Sequence, residues 1–287
     1  MEKAKKILYI SQEVEPYIAD SEFATLNRNL IQGVQEYGRE VRIFMPKWGP
    51  INERRNQLHE VIRLSGMNLI IDDTDHQLII KVASILATRL QIYFIDNDDY
   101  MKNRLFFLNK DGRPYKDNVE RAMFFARGTL ETVKKLRWVP EVIHCTGIMS
   151  ALAPYLLKLA YYDEPSFRES RIIFTPTCVS EAENAVLPRN FAGVVRYREA
   201  NRDAVATLGK MESFSDLNRI GMYMSDGVVL TEHDEQFERM AKEMGKPYVV
   251  IDVKDVSKIP VGLYDQLWHE AVMKRPKKDD DDDDFLF

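Results

Sequence analysis

The residues that could do chemistry follow short apolar runs, and the first such segment is acidic. Ile10 ends one run and is followed by Ser-Gln-Glu-Val-Glu-Pro-Tyr-Ile-Ala-Asp-Ser-Glu-Phe. This segment has no glycine and carries four carboxylates, Glu13, Glu15, Asp20 and Glu22. A pyrophosphate needs close approach of backbone N–H groups, which glycine permits, and carboxylates repel it. The segment therefore argues against a bound nucleotide diphosphate.

Two later segments offer little acid–base chemistry. Cys145 is followed by Thr146-Gly147-Ile148-Met149, which has one hydroxyl and no ionisable side chain, and Thr175 is followed by Pro-Thr-Cys. The two cysteines, Cys145 and Cys178, are too few for a disulfide framework or a cysteine-rich zinc site. We interpret both as free thiols that pack in the core.

Four other polar residues have a structural interpretation that competes with a functional one. Asp96, Asp98 and Asp99 follow an apolar run and could form a metal cluster, but N-capping of a helix after a strand explains them more simply. His144 is predicted to pack at the end of a strand. The sequence therefore predicts neither a metal ion nor a cofactor.

The elements that would position these segments alternate between strands and helices. Short apolar runs predict strands at Lys6–Ile10, Val41–Met45, Leu69–Ile71, Leu78–Leu86, Leu90–Ile95, Glu141–Cys145, Arg171–Thr175, Gly227–Thr231 and Tyr248–Val253. Periodic apolar residues predict helices at Glu22–Tyr37, 117–137, Ser150–Tyr162, 201–211, 213–224, His233–Met244 and Val261–Met273. The alternation predicts an α/β fold, a Rossmann-like three-layer domain with a mostly parallel sheet over residues 1–273.

Several segments resemble one enzyme family. They are Lys6-Ile-Leu-Tyr-Ile-Ser with Glu15-Pro16-Tyr17, Gly38-Arg-Glu-Val-Arg-Ile-Phe-Met-Pro46, Tyr115-Lys-Asp-Asn-Val-Glu-Arg-Ala-Met-Phe-Phe-Ala-Arg, Val142-Ile-His-Cys with Ala151-Leu-Ala-Pro-Tyr-Leu-Leu-Lys158, and Gly221-Met-Tyr-Met-Ser-Asp-Gly-Val-Val. Through them, residues 5–245 resemble the N-terminal domain of bacterial glycogen and starch synthases, which are ADP-glucose-dependent glucosyltransferases of the two-domain GT-B fold. The resemblance implies that this domain is the N-terminal half of a GT-B fold.

The sequence departs from the family at the positions that the resemblance assigns to ligands. The family's first-loop motif Lys-x-Gly-Gly-Leu-x-Asp begins at Ala19, which replaces the lysine, while Ser21 and Glu22 replace the glycines and Thr25 replaces the aspartate. The family's His-Asp-Trp-His stretch falls on Thr146, Gly147, Ile148 and Met149, and Met149 replaces a glucose-contacting histidine. We therefore expect eight degenerate ligand positions and no catalytic residue.

Residues 274–287 are predicted to form a disordered acidic tail. After Lys-Arg-Pro-Lys-Lys come Asp279, Asp280, Asp281, Asp282, Asp283 and Asp284, and then Phe285, Leu286 and Phe287. Six like charges in a row do not pack, yet three apolar residues at a free terminus could fill a pocket. The tail resembles the acidic, phenylalanine-ending tail of bacterial single-stranded DNA-binding proteins, which recruits other proteins. We interpret the tail as a segment that docks on another protein whose surface is basic and has an apolar pocket. The alternative is that the tail is a solvated chain end.

Three functions are consistent with these observations. The leading hypothesis is a non-catalytic, glycosyltransferase-like pseudoenzyme that acts as a protein-interaction or regulatory module through its tail. The alternative is a glucosyltransferase of glycogen or starch synthesis that uses ADP-glucose and is active only with a separate nucleotide-sugar-binding chain, because the family's second domain does not fit in the 287 residues. The third function is a glucan-binding module. The site loops have few aromatic residues on which a sugar could stack, and this argues against it.

Composition excludes other classes of function. The formal net charge is −5, and without the aspartate run the balance is near neutral, so direct nucleic-acid binding is not expected. No apolar run approaches the roughly 18 residues of a membrane-spanning helix, so no membrane is expected. With two cysteines and no signal-like N-terminus, the predicted location is the cytoplasm.

Overall fold

The computed structural model describes residues 1–104, 106–231, 235–251 and 259–274. Its strands are β1 (Lys6–Ser11), β2 (Glu40–Pro46), β3 (His59–Glu60), β4 (Met67–Ile71), β5 (Thr74–Ile85), β6 (Leu90–Asp96), β7 (Val142–Thr146), β8 (Arg171–Thr175), β9 (Gly227–Thr231) and β10 (Tyr248–Ile251). Its α-helices are α1 (Glu22–Glu36), α2 (Asn118–Leu136), α3 (Leu152–Leu159), α4 (Phe191–Val194), α5 (Leu217–Met224), α6 (Glu235–Glu243) and α7 (Val261–Met273). Short 3₁₀ turns span Ile148–Ser150, Arg202–Leu208 and Phe214–Asp216.

The strands of the described ranges form one sheet in the order β10-β9-β8-β7-β1-β2-β6-β5-β3, and β4 pairs with β5. Neighbours from β10 to β6 are parallel, whereas β5 is antiparallel to β6, β3 and β4. Parallel neighbours need crossover connections. Helices lie in most of these connections, whereas β2 reaches β6 through β3, β4 and β5. The predicted α/β fold with a mostly parallel sheet is confirmed, and β3 to β6 add an antiparallel part.

Alternation of side chains along β8 shows that helices cover both faces of the sheet. Phe174 points toward α5, because a Cβ on Gly221 would lie 2.7 Å from its ring. Thr175 points to the other face. There Thr175 Oγ1 lies 2.8 Å from His144 Nε2, and the hydroxyl of Tyr264 in α7 lies 2.6 Å from His144 Nδ1. The predicted three layers are therefore α5 on one face, the sheet, and α7 on the other.

His144 is part of a buried hydrogen-bond network. The Tyr264 hydroxyl also lies 2.8 Å from the hydroxyl of Tyr9, and His144 is fully buried. Burial lowers the pKa of His144 to about 3, because the apolar surroundings disfavour the charged imidazole. The residue therefore joins β7, β8 and α7 as a neutral ring, in agreement with its predicted structural role.

Helix α7 is fastened to the start of the chain. Asp265 accepts a hydrogen bond from the backbone N–H of Ala4 at 2.9 Å and pairs with Arg39 at 2.7 Å. One turn later, His269 accepts a bond from the backbone N–H of Glu2 at 3.3 Å. The helix therefore ends near the amino edge of the sheet, the edge at which β1 begins.

The predicted capping role of the three aspartates is wrong. Within the described residues no helix begins between β6 and α2, and each carboxylate has a cation or a ring nitrogen as its partner. Asp96 lies 2.7 Å from Lys81 Nζ. Asp98 pairs with Lys102, and Asp99 lies 2.9 Å from a ring nitrogen of His76. Within the described ranges, no group of three or more His, Cys, Asp or Glu side chains is placed to hold a metal ion.

Other predictions are partly corrected or fall outside the described residues. Cys145 is buried as predicted, but Cys178 is exposed, because it follows β8 in an open segment rather than packing in the core. The predicted helix over 201–211 is a 3₁₀ turn. Parts of the predicted strand to Val253 and of the helix from His233 lie outside the described residues. No helix in the described ranges has both the length and the apolar character that a bilayer crossing requires.

Candidate functional site

Within the described residues, the carboxyl ends of the seven parallel strands from β10 to β6 lie along one edge of the sheet, where Rossmann-like domains bind ligands. Ser11 of β1 pairs with Thr146 of β7, so the segments that follow these strands begin side by side. Strand β2 lies on one side of β1 in the sheet, and β7, which comes later in the chain, lies on the other side of β1. Such a reversal of strand order opens a crevice at the carboxyl edge, and we take this crevice as the candidate site.

Gln12 fills the crevice between β1 and β7. Its backbone N–H donates to the carbonyl of Thr146 at 2.9 Å, and its own carbonyl accepts a 2.7 Å bond from the indole N–H of Trp48. Its side-chain Oε1 accepts a 3.3 Å bond from the backbone N–H of Met149. The side chain of Gln12 therefore satisfies the backbone donor of Met149 inside the crevice.

Gly147 is required by the same packing. Its φ of 85° and ψ of 160° lie in a region that only glycine adopts readily. A Cβ on Gly147 would also lie 2.6 Å from Gln12 Cβ. The backbone N–H of Gly147 donates to the carbonyl of Thr175 at 2.9 Å, which fixes the turn against β8.

The side chains after this glycine point into the core. Ile148 and Met149 are fully buried, and the Ile148 backbone N–H donates to Thr177 Oγ1 at 3.2 Å. Thr146 is buried as well, and its Oγ1 has no hydrogen-bond partner in the described part of the chain. The four predicted positions after β7 are therefore brought together, but they form packing rather than a ligand-facing surface.

Glu13 connects this cluster to the first loop. Its Oε1 accepts a 3.2 Å bond from Gln12 Nε2. Burial raises the pKa of Glu13, while hydrogen bonds from Ser21 and Gln12 act in the opposite direction and the nearby Glu183 carboxylate raises it further. The centre of the crevice therefore carries a desolvated carboxyl group, which disfavours a phosphate there.

The predicted first-loop positions form the start of α1. Ser21 is the N-cap residue, and its Oγ accepts a 3.1 Å bond from the backbone N–H of Ala24. Thr25 Oγ1 donates to the carbonyl of Ser21 at 3.2 Å. Ala19 and Glu22 are exposed. Of these four positions, Ser21 contacts the residues of the crevice through its hydrogen bond with Glu13. Thr25 hydrogen-bonds only within the first turn of α1 in the described residues.

Cations at this edge are engaged with carboxylates. Lys47 Nζ, after β2, lies 3.1 Å from Glu53, and Lys81 Nζ is 2.6 Å from the same carboxylate. Arg28 lies 3.9 Å from Glu15. A nucleotide diphosphate needs uncommitted cations or a glycine-rich turn at such an edge. The described residues of the crevice provide neither, so they do not fit a nucleotide cofactor.

A cavity of about 590 Å³ opens next to the crevice, between the loop after β1 and the turn after β2. Its walls include Tyr17, Ala19 and Phe106, and its polar lining comes from Asn52, Arg55 and Asn56. Tyr17 is 8% exposed, and its burial raises the pKa of its hydroxyl to about 12. The cavity joins one predicted position, Ala19, to residues from two other loops.

Three polar groups of this cavity are available to a ligand. Within the described residues, the Tyr17 hydroxyl has no hydrogen-bond partner, and the Arg55 guanidinium has no ion pair. Asn52 Oδ1 accepts from the backbone N–H of Arg55 at 2.9 Å, which leaves the amide nitrogen of Asn52 free to donate. Sequence reasoning missed Asn52, Arg55 and Phe106, because no motif marks them and the fold alone brings them to Tyr17.

A smaller cavity of about 210 Å³ follows β8. Thr177 and Cys178 line it, and Asn218 holds the segment, since its Nδ2 donates to the carbonyl of Thr177 at 2.8 Å. The lining ionisable groups, Asp216 and Arg219, pair with each other at 3.1 Å. The predicted docking residues Asp279 to Phe287 lie outside the described residues.

Comparisons with known proteins give one consistent match. Residues 6–247 match the family model described as "Starch synthase catalytic domain". The glycogen synthases of Pelodictyon phaeoclathratiforme and Chlorobium limicola are each 38% identical to the chain over 171 residues, and that of Chlorobaculum tepidum is 35% identical over 171 residues. Each match covers 59% of this chain and 35% of the relative.

A solved structure matches over more of the chain. It is described as the catalytic domain of starch synthase IV from Arabidopsis thaliana bound to ADP and acarbose. The TM-score is 0.69 at 16% identity, and the match covers 87% of this chain and 51% of that chain. At this identity the likeness supports the fold. The chain therefore spans about half of that catalytic domain and about a third of the curated relatives.

Proposed function

Because the chain belongs to the starch synthase catalytic domain family, we propose that it forms the glucan-binding half of a glucosyltransferase of glycogen or starch synthesis. At the level that the comparisons reach, it is a glycogen/starch synthase-like glycosyltransferase domain. In the proposed function, the cavity beside Tyr17 binds the acceptor glucan. A separate unit binds ADP-glucose, and transfer requires both.

The chemistry of the 590 Å³ cavity carries this proposal. Its volume is in the range of roughly 300–1,000 Å³ that small-molecule sites have. Tyr17 and Phe106 offer apolar ring surface to the C–H groups of a sugar. Asn52, Arg55 and the Tyr17 hydroxyl offer donors, and amide and hydroxyl oxygens offer acceptors, which suits a neutral ligand with many hydroxyl groups.

The crevice after β7 supports the second part of the proposal. Glucosyl transfer from ADP-glucose releases a diphosphate, whose developing charge cations must stabilise. The described cations next to the crevice, Lys47, Lys81 and Arg28, already pair with carboxylates, and the unpaired Arg55 lies in the neighbouring cavity. Glu13 adds a buried carboxyl group. The groups that stabilise the leaving diphosphate must therefore come from another unit.

Maltotetraose binding tests the acceptor site. We expect titration calorimetry to detect binding to the whole chain, and Tyr17→Phe and Arg55→Ala each to weaken it about threefold to tenfold, since each removes one hydrogen-bonding group. Neither side chain has a polar partner within the described residues, so both variants should fold. Arg54→Ala, at the exposed neighbour, is the matched control. Absence of binding by the unsubstituted chain would refute the acceptor site.

Transfer is tested in a mixture. The chain is combined with the part of the Chlorobium limicola glycogen synthase that lies outside the matched region, and incorporation of glucose from ADP-glucose into maltotetraose is measured. We expect incorporation in the mixture and none with either component alone. Incorporation by the chain alone would contradict the proposed division of the site.

A non-catalytic role is the second candidate, and the packing after β7 favours it. Ile148 and Met149 are fully buried, and Gln12 occupies the space in front of Gly147. A pseudoenzyme would bind maltotetraose or a protein partner but would support no transfer in any mixture. The same pair of experiments therefore separates the two candidates, since binding without transfer identifies the non-catalytic role.

A further inference from the structure

A second, larger cavity lies away from the crevice, between residues 186–192 and residues 202–212. It is an open groove of about 660 Å³. Leu187, Phe191, Val205 and Met211 supply apolar lining. Val186, at its rim, is 84% exposed. Apolar surface gathered in one groove and rimmed by polar residues is typical of a surface that binds an apolar segment of another chain.

The groove also carries uncommitted positive charge. Arg189 and Arg202 line it and are exposed, and neither has an ion pair or a side-chain hydrogen bond within the described residues. The third lining cation, Lys210, pairs with Glu212. Asp203 is the other lining carboxylate. An occupant that brings several carboxylates next to a short apolar stretch would therefore complement both arginines and the apolar lining.

The C-terminal segment of this chain has that composition. Residues 279–284 are six aspartates, and residues 285–287 are Phe-Leu-Phe. The two aromatic rings and the leucine match an apolar groove, and the aspartates match the arginines at its rim. Such charges also accelerate encounter between the two surfaces.

Geometry favours a tail from a second copy. Helix α7 ends near the amino edge of the sheet, where His269 contacts Glu2. The groove belongs to the connection that follows β8 at the carboxyl edge, and it lies on the α5 side, since Arg219 of α5 donates to the carbonyl of Lys210 at 3.4 Å. Helix α7 covers the opposite face. A tail in its own groove would have to cross both the edge and the sheet, whereas a tail from a neighbour has no such restriction.

We propose that the groove between residues 186–192 and 202–212 of one copy binds residues 279–287 of a second copy. Phe285 to Phe287 occupy the apolar lining, and the aspartates face Arg189 and Arg202. The contact is heterologous, so it links copies in a chain or closes them in a ring. It is independent of the glucan cavity and of the proposed transfer function.

A labelled peptide tests the contact directly. The receptor is the full chain carrying Phe285→Ala, Leu286→Ala and Phe287→Ala, which keeps its own groove empty. The probe is the peptide Asp-Asp-Asp-Asp-Asp-Asp-Phe-Leu-Phe with a fluorophore at its amino end, followed by fluorescence anisotropy. We expect saturable binding that weakens as salt rises from about 0.05 M to about 0.5 M, because screening shortens the reach of the charges.

Charge reversal identifies the groove. Arg189→Glu with Arg202→Glu should weaken peptide binding by about tenfold or more, since two attractive pairs become repulsive. Arg63→Glu with Arg113→Glu makes the same change of charge at two exposed arginines outside the groove and is the matched control. No binding by the receptor, or equal weakening by the two double variants, would overturn the proposal.

Sedimentation velocity tests whether the partner is a second copy. We expect the unsubstituted chain to associate as its concentration rises, and the variant with the three alanines to remain monomeric. If the peptide binds the alanine variant but the unsubstituted chain is monomeric and refuses the peptide, the tail occupies its own groove and the proposed contact between copies is wrong.

Discussion

Replacing Gly147 with alanine tests the packing that closes the crevice after β7. The backbone at φ 85° and ψ 160° costs a residue with a Cβ about 1–3 kcal/mol. The new Cβ would also lie 2.6 Å from Gln12 Cβ, which is not the flexible end of a side chain, and overpacking of this kind costs about 1–3 kcal/mol. We therefore expect Gly147→Ala to lower the free energy of unfolding by about 2–6 kcal/mol.

Urea unfolding, followed by tryptophan fluorescence and circular dichroism, measures this loss. Gln12→Gly is the matched background, because it removes the Cβ that the new methyl group meets while leaving the φ of residue 147 unchanged. In that background Gly147→Ala should cost about 1–3 kcal/mol, the backbone part alone. If Gly147→Ala costs less than about 1 kcal/mol in the unsubstituted chain, the turn is free to move, and the argument that the crevice is closed fails.

Three further predictions concern charge and stability. Burial lowers the pKa of His144 to about 3, so the free energy of unfolding should decrease as pH falls below the ordinary value of 6.5. The expected loss is about 2–3 kcal/mol at a pH near 4.5, measured by urea unfolding. The imidazole ring should show no NMR titration above about pH 4. Asp265→Ala should cost about 3–5 kcal/mol, because it leaves Arg39 buried and unpaired, and the double variant with Arg39→Ala should recover part of that loss in thermal unfolding. Burial raises the pKa of Glu13, so the folded state binds a proton more readily and stability falls as pH rises above the ordinary value of 4.5. Glu13→Gln should reduce that fall in urea unfolding, with Glu60→Gln, at an exposed carboxyl group, as the control.

The regular elements could be predicted because local patterns determine them. The apolar run at Lys6–Ile10 and the periodic helix at Val261–Met273 reappear in the structure with bounds that agree to within one residue. The antiparallel strands between β3 and β6 were also visible as short apolar runs with polar gaps. In each case burial of one face or of both faces is encoded within a few consecutive residues.

The candidate site could be predicted only in part, because it depends on contacts between distant segments. Ala19 was singled out by its position in the first loop, but Phe106 and Asn52 meet it only when β1, β2 and β6 lie side by side. The aspartates after β6 suited a helix cap by local rules, yet Asp96 pairs with Lys81 on the antiparallel strand β5. The sequence pattern around Asp96 does not predict that its partner is Lys81, which lies 15 residues earlier in the chain.

The carboxyl edge of the sheet is divided at β1, and this division connects the two halves of the proposed function. On the β7 and β8 side, Gln12 and Met149 fill the space beside the position where the resemblance places a glucose-contacting histidine. On the β2 and β6 side, a cavity with uncommitted polar groups remains beside Tyr17. Loss of all ligand binding would not explain why one side is packed and the other is open. The proposed function, in which this domain binds the acceptor glucan and a separate unit binds ADP-glucose, accounts for both sides, and maltotetraose binding is therefore the measurement on which it depends.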